Sequence, residues 1–160
     1  MQLQLTRGVM MLGMFLLLVE VAMSAEDAKE VALPELPKGA GKVDQDAAKK
    51  FTATDSGLKY RILRKGTGAK PKATDTVKVN YHGWLDSGKE FDSSYKREEP
   101  ISFPLNRVIK GWTEGMQLVG EGGMIELEIP SDLGYGDRGS PGAIPPKATL
   151  HFLVELLKVE

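Results

Sequence analysis

Covalent chemistry needs a nucleophile, a titratable pair or a metal, and this sequence is poor in all three. Its only histidines, His82 and His151, stand far apart along the chain, and neither has carboxylates at metal-ligand spacing. Both read as ordinary strand residues rather than ligands or a general base. The chain has no cysteine, which removes structural disulfides, thiolate metal sites and a catalytic thiol. Serines follow Asp92 in FDSS, but no G-x-S-x-G elbow surrounds them. No Gly-rich loop leads a strand into a helix in the phosphate-binding manner. Glu126 and Glu128 point the same way along a strand and read as a solvated face.

Ring-bearing side chains are the remaining resource. Nine lie between Tyr60 and Phe152, and several of these sit beside loops rather than mid-strand. Taken singly, each reads as core packing. Taken as a set they can wall a dry concave pocket, the usual form of a small-ligand site. A second feature is GYGDRGSPGAIPP, Gly134 to Pro146, four glycines and three prolines in thirteen residues. Prolines limit its freedom and glycines allow sharp bends, so it reads as a shaped loop.

Rings scattered along the chain need a framework to bring them together. Four segments alternate with the strand period: Leu58, Tyr60 and Ile62; Val77, Val79 and Tyr81; Ile125, Leu127 and Ile129; and Leu150, Phe152, Val154 and Leu156. Clean alternation with short connections favours antiparallel pairing. Asp86-Ser87-Gly88 carries hairpin turn chemistry. In NRVIKGWTEGMQL the period changes: Val108, Trp112 and Met116 recur every fourth residue, a helical stripe. Gly111 and Gly115 each cost a helix ~1 kcal/mol relative to alanine, so this helix should be short and held by packing. The fold class is α+β: a curved antiparallel sheet with one helix on its dry face.

The chain has 160 residues, with 21 basic and 22 acidic side chains and a net charge of −1. That balance argues against gripping nucleic acid or an anionic membrane. Residues 1–25 are laid out as a secretory signal peptide, with Arg7, an apolar run from Gly8 to Val19 and a small-residue cleavage pattern at Ala22-Met23-Ser24. Export to a bacterial periplasm or the extracellular space is the expectation, with no stable membrane insertion after cleavage. Residues 26–50 are charged, alanine-rich and proline-broken, and read as a mobile tether. The compact domain is expected over residues 51–160.

In order, VNYHGWLDSGKEFDSS, FPLNRVIKGWTEGMQLV, GGMIELEIP and LGYGDRGSPGAIPPKATLHFLVELL resemble the FK506-binding-protein family of peptidyl-prolyl cis-trans isomerases across roughly residues 56–159. The resemblance implies a five- or six-stranded antiparallel sheet wrapped around one short helix. It implies Trp112 as the floor of a substrate pocket, with Tyr81, Phe91, Phe103, Val108, Ile109 and Phe152 as walls. Tyr135 would present a hydroxyl at the rim, Ile144 would close a lid, and Asp92 would be the polar pocket residue. The Ile109 N–H would hold a substrate carbonyl. Tyr81, Asp92, Tyr135 and Phe152 are thereby assigned to catalysis and the remaining six to substrate binding. Partners implied are proline-containing polypeptides and FK506-like macrolides. No cofactor or metal is implied, and a monomer is expected. The alternative within this fold is a proline-peptide holder or chaperone without turnover. Two positions depart from the family pattern: Ile101 stands where some members have an aromatic, and Ser140 where some have a larger lid side chain.

Overall fold

The computed structural model describes residues 29–160, so the expected signal peptide lies outside the described residues. The elements run β1 (Thr52–Ala53), β2 (Lys59–Arg64), β3 (Thr76–Leu85), β4 (Glu90–Ser93), α1 (Ser94–Arg97), β5 (Ile101–Pro104), α2 (Lys110–Gly115), β6 (Met124–Ile129) and β7 (Leu150–Val159). They form one antiparallel sheet in the order β1-β2-β6-β7-β3-β4, and β5 pairs with the first half of β3. The four strands expected from alternation are β2, β3, β6 and β7. The three further strands have two or four residues each, too few for a period to declare itself.

One face of the sheet carries the main core. Val77, Val79 and Tyr81 of β3, Ile125, Leu127 and Ile129 of β6, and Phe152, Val154 and Leu156 of β7 are buried there against Trp112 and Met116. The helix glycines have a packing reason. A Cβ on Gly111 would come within 2.5 Å of the Ile129 side chain, and one on Gly115 within 2.7 Å of Leu127. The helix gives up propensity in order to lie close on the sheet, which seats Trp112 deep under it.

The opposite face departs from both sequence expectations. Glu126 is not part of a solvated face: it is 5% exposed and pairs at 2.6 Å with Arg61, itself 2% exposed. Only Glu128 is partly open, paired with Lys59 at 2.8 Å. What covers them is the segment expected to be a mobile tether. Arg61 donates its two terminal nitrogens to the carbonyls of Val31 and Ala32, each at 2.7 Å. Asp44 and Ala48 donate backbone bonds to the Leu63 and Ile62 carbonyls. Val43 and Ala47 pack on Leu63, Met124 and Leu153. The ends of this strap meet where the Val31 N–H donates to the Lys49 carbonyl at 2.9 Å. Its composition is too polar to supply a core of its own. The sheet offers it buried charges to cap and a small apolar patch to cover, and these offset the entropy of ordering it.

Two buried carboxylates on this face titrate in opposite senses. Burial raises Glu126 above the ordinary range despite its bond to Arg61. Burial also pushes Glu155 up, but Tyr95, Arg64 and the Gly41 N–H all donate to it and hold it below the ordinary value. The number of donors decides the sign.

Candidate functional site

The core face opens into a cavity of about 570 Å³. Every residue that the resemblance nominated lines it. Tyr81 comes from β3, Phe91 and Asp92 from β4, Phe103 from β5, and Phe152 from β7. Val108, Ile109 and Trp112 come from the entry to α2 and the helix itself. Tyr135 and Ile144 come from the loop between β6 and β7.

Trp112, 4% exposed, is the floor. The rings of Tyr81, Phe103 and Phe152 meet it nearly edge-on, with centroids at 5.5, 5.7 and 5.3 Å. Phe91 stands edge-on to Phe152 at 5.4 Å. These perpendicular contacts are the favourable ones for ring quadrupoles, and they hold the walls at fixed angles. Gly83 makes room for them, since a Cβ there would sit 2.7 Å from the Phe91 ring and 2.8 Å from Phe152. The indole Nε1 of Trp112 is buried without a hydrogen-bond partner among the described residues.

The polar part of the wall is a closed triad. The Tyr81 hydroxyl donates to Asp92 Oδ2. Arg97 donates to Asp92 Oδ1 at 2.6 Å and to the Tyr81 oxygen at 2.9 Å. Burial, and then the Asp92 acceptor, push the Tyr81 hydroxyl up to about 12. Burial alone would raise Asp92; the Tyr81 hydroxyl, Arg97 and the Ser93 N–H outweigh it and hold the carboxyl below its ordinary value. Near neutral pH, then, Tyr81 keeps its proton and Asp92 lacks one. Both histidines lie on the other face: His82 stacks on Trp84, and His151 pairs with Asp86 at 2.6 Å. Among the described residues no histidine lines the cavity, which leaves it without the usual proton carrier near pH 7.

The Gly/Pro loop is shaped by its own backbone. Ser140 and Ile144 exchange N–H···O bonds of 2.9 and 2.8 Å, and the Lys147 N–H donates to the Gly136 carbonyl. Gly139 has φ +64, and a Cβ there would lie 2.3 Å from the Ile144 carbonyl oxygen, so the turn requires glycine. This bridge leaves Ile144 6% exposed, whereas Tyr135 is 45% exposed at the rim. Of the two departures, Ser140 lines the cavity, while Ile101 is outside the lining and 36% exposed.

Arg97, Arg107 and Ala143 escaped the sequence reading. Arg107 and Ala143 join the lining. Arg97 had a faint signal: an acid at Asp92 beside apolar rings needs a counter-ion, and one turn of α1 returns Arg97 to it.

Residues 67–157 match the family described as FKBP-type peptidyl-prolyl cis-trans isomerase. The chain is 56% identical over 108 residues to the FKBP-type peptidyl-prolyl cis-trans isomerase FkpA of Aeromonas hydrophila, covering 68% of this chain and 40% of that protein. It is 52% identical over 124 residues to FkpA of Escherichia coli K12, covering 77% of this chain and 46% of that one. The crystal structure of Escherichia coli FkpA superposes with a TM-score of 0.67 at 52% identity, over 69% of this chain and 51% of that one. The crystal structure of AtFKBP13 superposes with a TM-score of 0.65 at 35% identity, over 69% of this chain and 99% of that one. The chain thus spans about half the length of the curated relatives it matches.

Proposed function

Since the chain belongs to the FKBP-type peptidyl-prolyl cis-trans isomerase family, we propose that its aromatic cavity accelerates rotation about X–Pro peptide bonds. That rotation faces a barrier of ~18–20 kcal/mol because twisting the amide destroys its resonance. No covalent bond to a heavy atom breaks, so neither nucleophile nor proton transfer is required. The observation that carries the reading is a cavity walled by perpendicular rings, in whose polar triad Tyr81 is held protonated and Asp92 ionised near neutral pH.

A planar amide is the more polar form and draws more from water. Moving it among apolar walls removes that preference, and the twisted state loses less. Stabilising the twisted state selectively lowers the barrier, and each ~1.4 kcal/mol gives a tenfold rate. In this reading Trp112, Phe103 and Phe152 hold the prolyl ring, with Val108, Ile109 and Ile144 closing around it. The Ile109 N–H holds a substrate carbonyl. Phe91, Tyr81 and Asp92 flank the preceding carbonyl as it swings, and Tyr135 offers its hydroxyl at the rim. Proline-containing polypeptides are the substrates, and FK506-like macrolides would compete for the same cavity. Residues 1–25, read as a secretory leader, would deliver the protein to a periplasm or outside the cell, where it would act as a monomer. N-terminal sequencing of the exported protein checks the leader.

The pH profile of isomerisation of a short proline peptide tests the mechanism. The folded-state shift of Asp92 is downward, so its contribution is full above the ordinary carboxylate pKa of ~3.9 and is lost as pH falls through the lower folded value. The shift of Tyr81 is upward, so its contribution is full below ~10 and is lost as pH rises through about 12. Activity should therefore be flat between about pH 5 and 9. A bell centred on an imidazole or carboxylate pKa within that window would overturn the proton-free mechanism. Binding of a proline peptide with no rate acceleration at any pH would leave a holder instead.

A further inference from the structure

A second cavity, about 790 Å³, lies on the outer face of the sheet beneath the strap. Its floor is Asn80 and His82 of β3 with Ser93 of β4, the last 4% exposed. Its walls are apolar: Leu36 and Pro37 of the strap on one side, Tyr95 and Pro100 on the other. A polar floor between apolar walls suits an extended peptide, in which every second residue turns its N–H and C=O to the same side while side-chain stems lie against the walls.

The charges around it narrow the choice. Glu90 and Lys96 neutralise each other at 2.6 Å. Burial lowers the affinity of His82 for a proton. That leaves Glu35, Glu98 and Lys38, none with an ion-pair partner among the described residues. Two carboxylates face one ammonium, an excess that favours a cation.

The two cavities stand back to back. Along β4, Glu90 and Ser93 line the outer one while Phe91 and Asp92 line the aromatic one. On β3, Tyr81 faces one side and its neighbours Asn80 and His82 the other. Because β4 is the last strand of the sheet, a chain leaving the aromatic cavity can round that edge. At about 3.3 Å per extended residue, this takes only a few residues.

We infer that the groove under the strap is a second polypeptide subsite, receiving the segment that flanks the prolyl bond and taking a lysine or arginine side chain from it. This rests on the isomerase reading for its substrate, but not for its geometry. Tethering through the groove raises the effective concentration of the prolyl bond at the aromatic cavity, so it acts on KM rather than on the chemical step.

The test compares the full chain acting on a four-residue proline peptide and on one extended by eight residues on each side with lysines. The extended peptide should show a KM lower by roughly two- to five-fold for each exposed ion pair, with kcat unchanged. Glu35→Gln with Glu98→Gln should remove that advantage and leave kcat/KM for the short peptide intact. Equal KM values, an advantage surviving in the double variant, or the same advantage with glutamates in place of the lysines would each overturn the inference. Amide shift mapping by NMR with a proline-free lysine peptide reads the groove without turnover. Shifts should appear at Gly39, His82, Ser93 and Glu98 and not at Phe103 or Trp112. Their absence from the groove would overturn the inference, whereas groove binding in a chain that isomerises nothing would fault the isomerase reading alone.

Discussion

The two faces of this one sheet solve opposite problems. The inner face is dry and aromatic, and its one polar cluster, Tyr81–Asp92–Arg97, is closed on itself at the cavity wall. The outer face buries full charges, Arg61, Glu126 and Glu155, under the irregular chain of residues 31–49. Both arise from the same strands, because successive side chains point to opposite sides. A single strand such as β7 can therefore supply a cavity wall at Phe152 and an ion pair at Glu155 from opposite sides. The inner face holds the main core and the cavity, and the outer face holds the buried ion pairs and the strap.

The sharpest way to break this division is Arg61→Ala. It strands Glu126 without a partner and frees the Val31 and Ala32 carbonyls. Losing one member of a buried pair should cost about 3–5 kcal/mol in urea unfolding. Isomerisation per folded molecule should barely change, and a proportional loss would mean the faces are coupled. Arg61→Met with Glu126→Leu should recover most of the stability, because the pair's desolvation cost disappears along with its attraction.

Gly111→Ala sits on the boundary between the regions. The added Cβ meets Ile129 at 2.5 Å, so α2 must lift from the sheet. Overpacking of this kind should cost about 1–3 kcal/mol. Here, unlike Arg61→Ala, kcat/KM should fall along with stability, because Trp112 moves with the helix. Retained activity in a destabilised variant would show that the floor tolerates displacement.

Tyr81→Phe sharpens the comparison from the inside. It deletes one hydroxyl, and Arg97 still neutralises Asp92. The stability cost should be about 1 kcal/mol, while kcat/KM on a proline peptide drops by less than tenfold. A thousandfold loss would instead point to direct participation of the hydroxyl in the reaction.

Alternation made β2, β3, β6 and β7 legible, whereas the fourfold stripe through Val108, Trp112 and Met116 found the helix but overran it: α2 is only Lys110–Gly115, Val108 is extended, and Met116 opens a 3-10 turn. Local periodicity survives because each strand has one face in the same core. Short strands such as Thr52–Ala53 lacked the length to show it. The lining residues were legible through motif resemblance, not through spacing, since five separate elements and a loop contribute them. Arg97 was only faintly legible: Asp92 called for a counter-ion, but which residue supplies it depends on how α1 turns after β4. Arg61 and Glu126 misled for a related reason. Alternation says which side of a strand a residue occupies, but not what else will cover that side.

The sequence by itself determined the period of each strand, the helix that must cover their apolar face, and the stock of rings with no nucleophile among them. These are properties of neighbours, set by backbone geometry and side-chain polarity within a few residues. Only the tertiary structure decided that Glu126 is buried, that residues 31–49 are a strap rather than a tether, and that Gly111 and Gly115 are there for close approach. Burial depends on what arrives from far along the chain, and the free energy of ordering a polar segment turns on the charges it finds when it gets there.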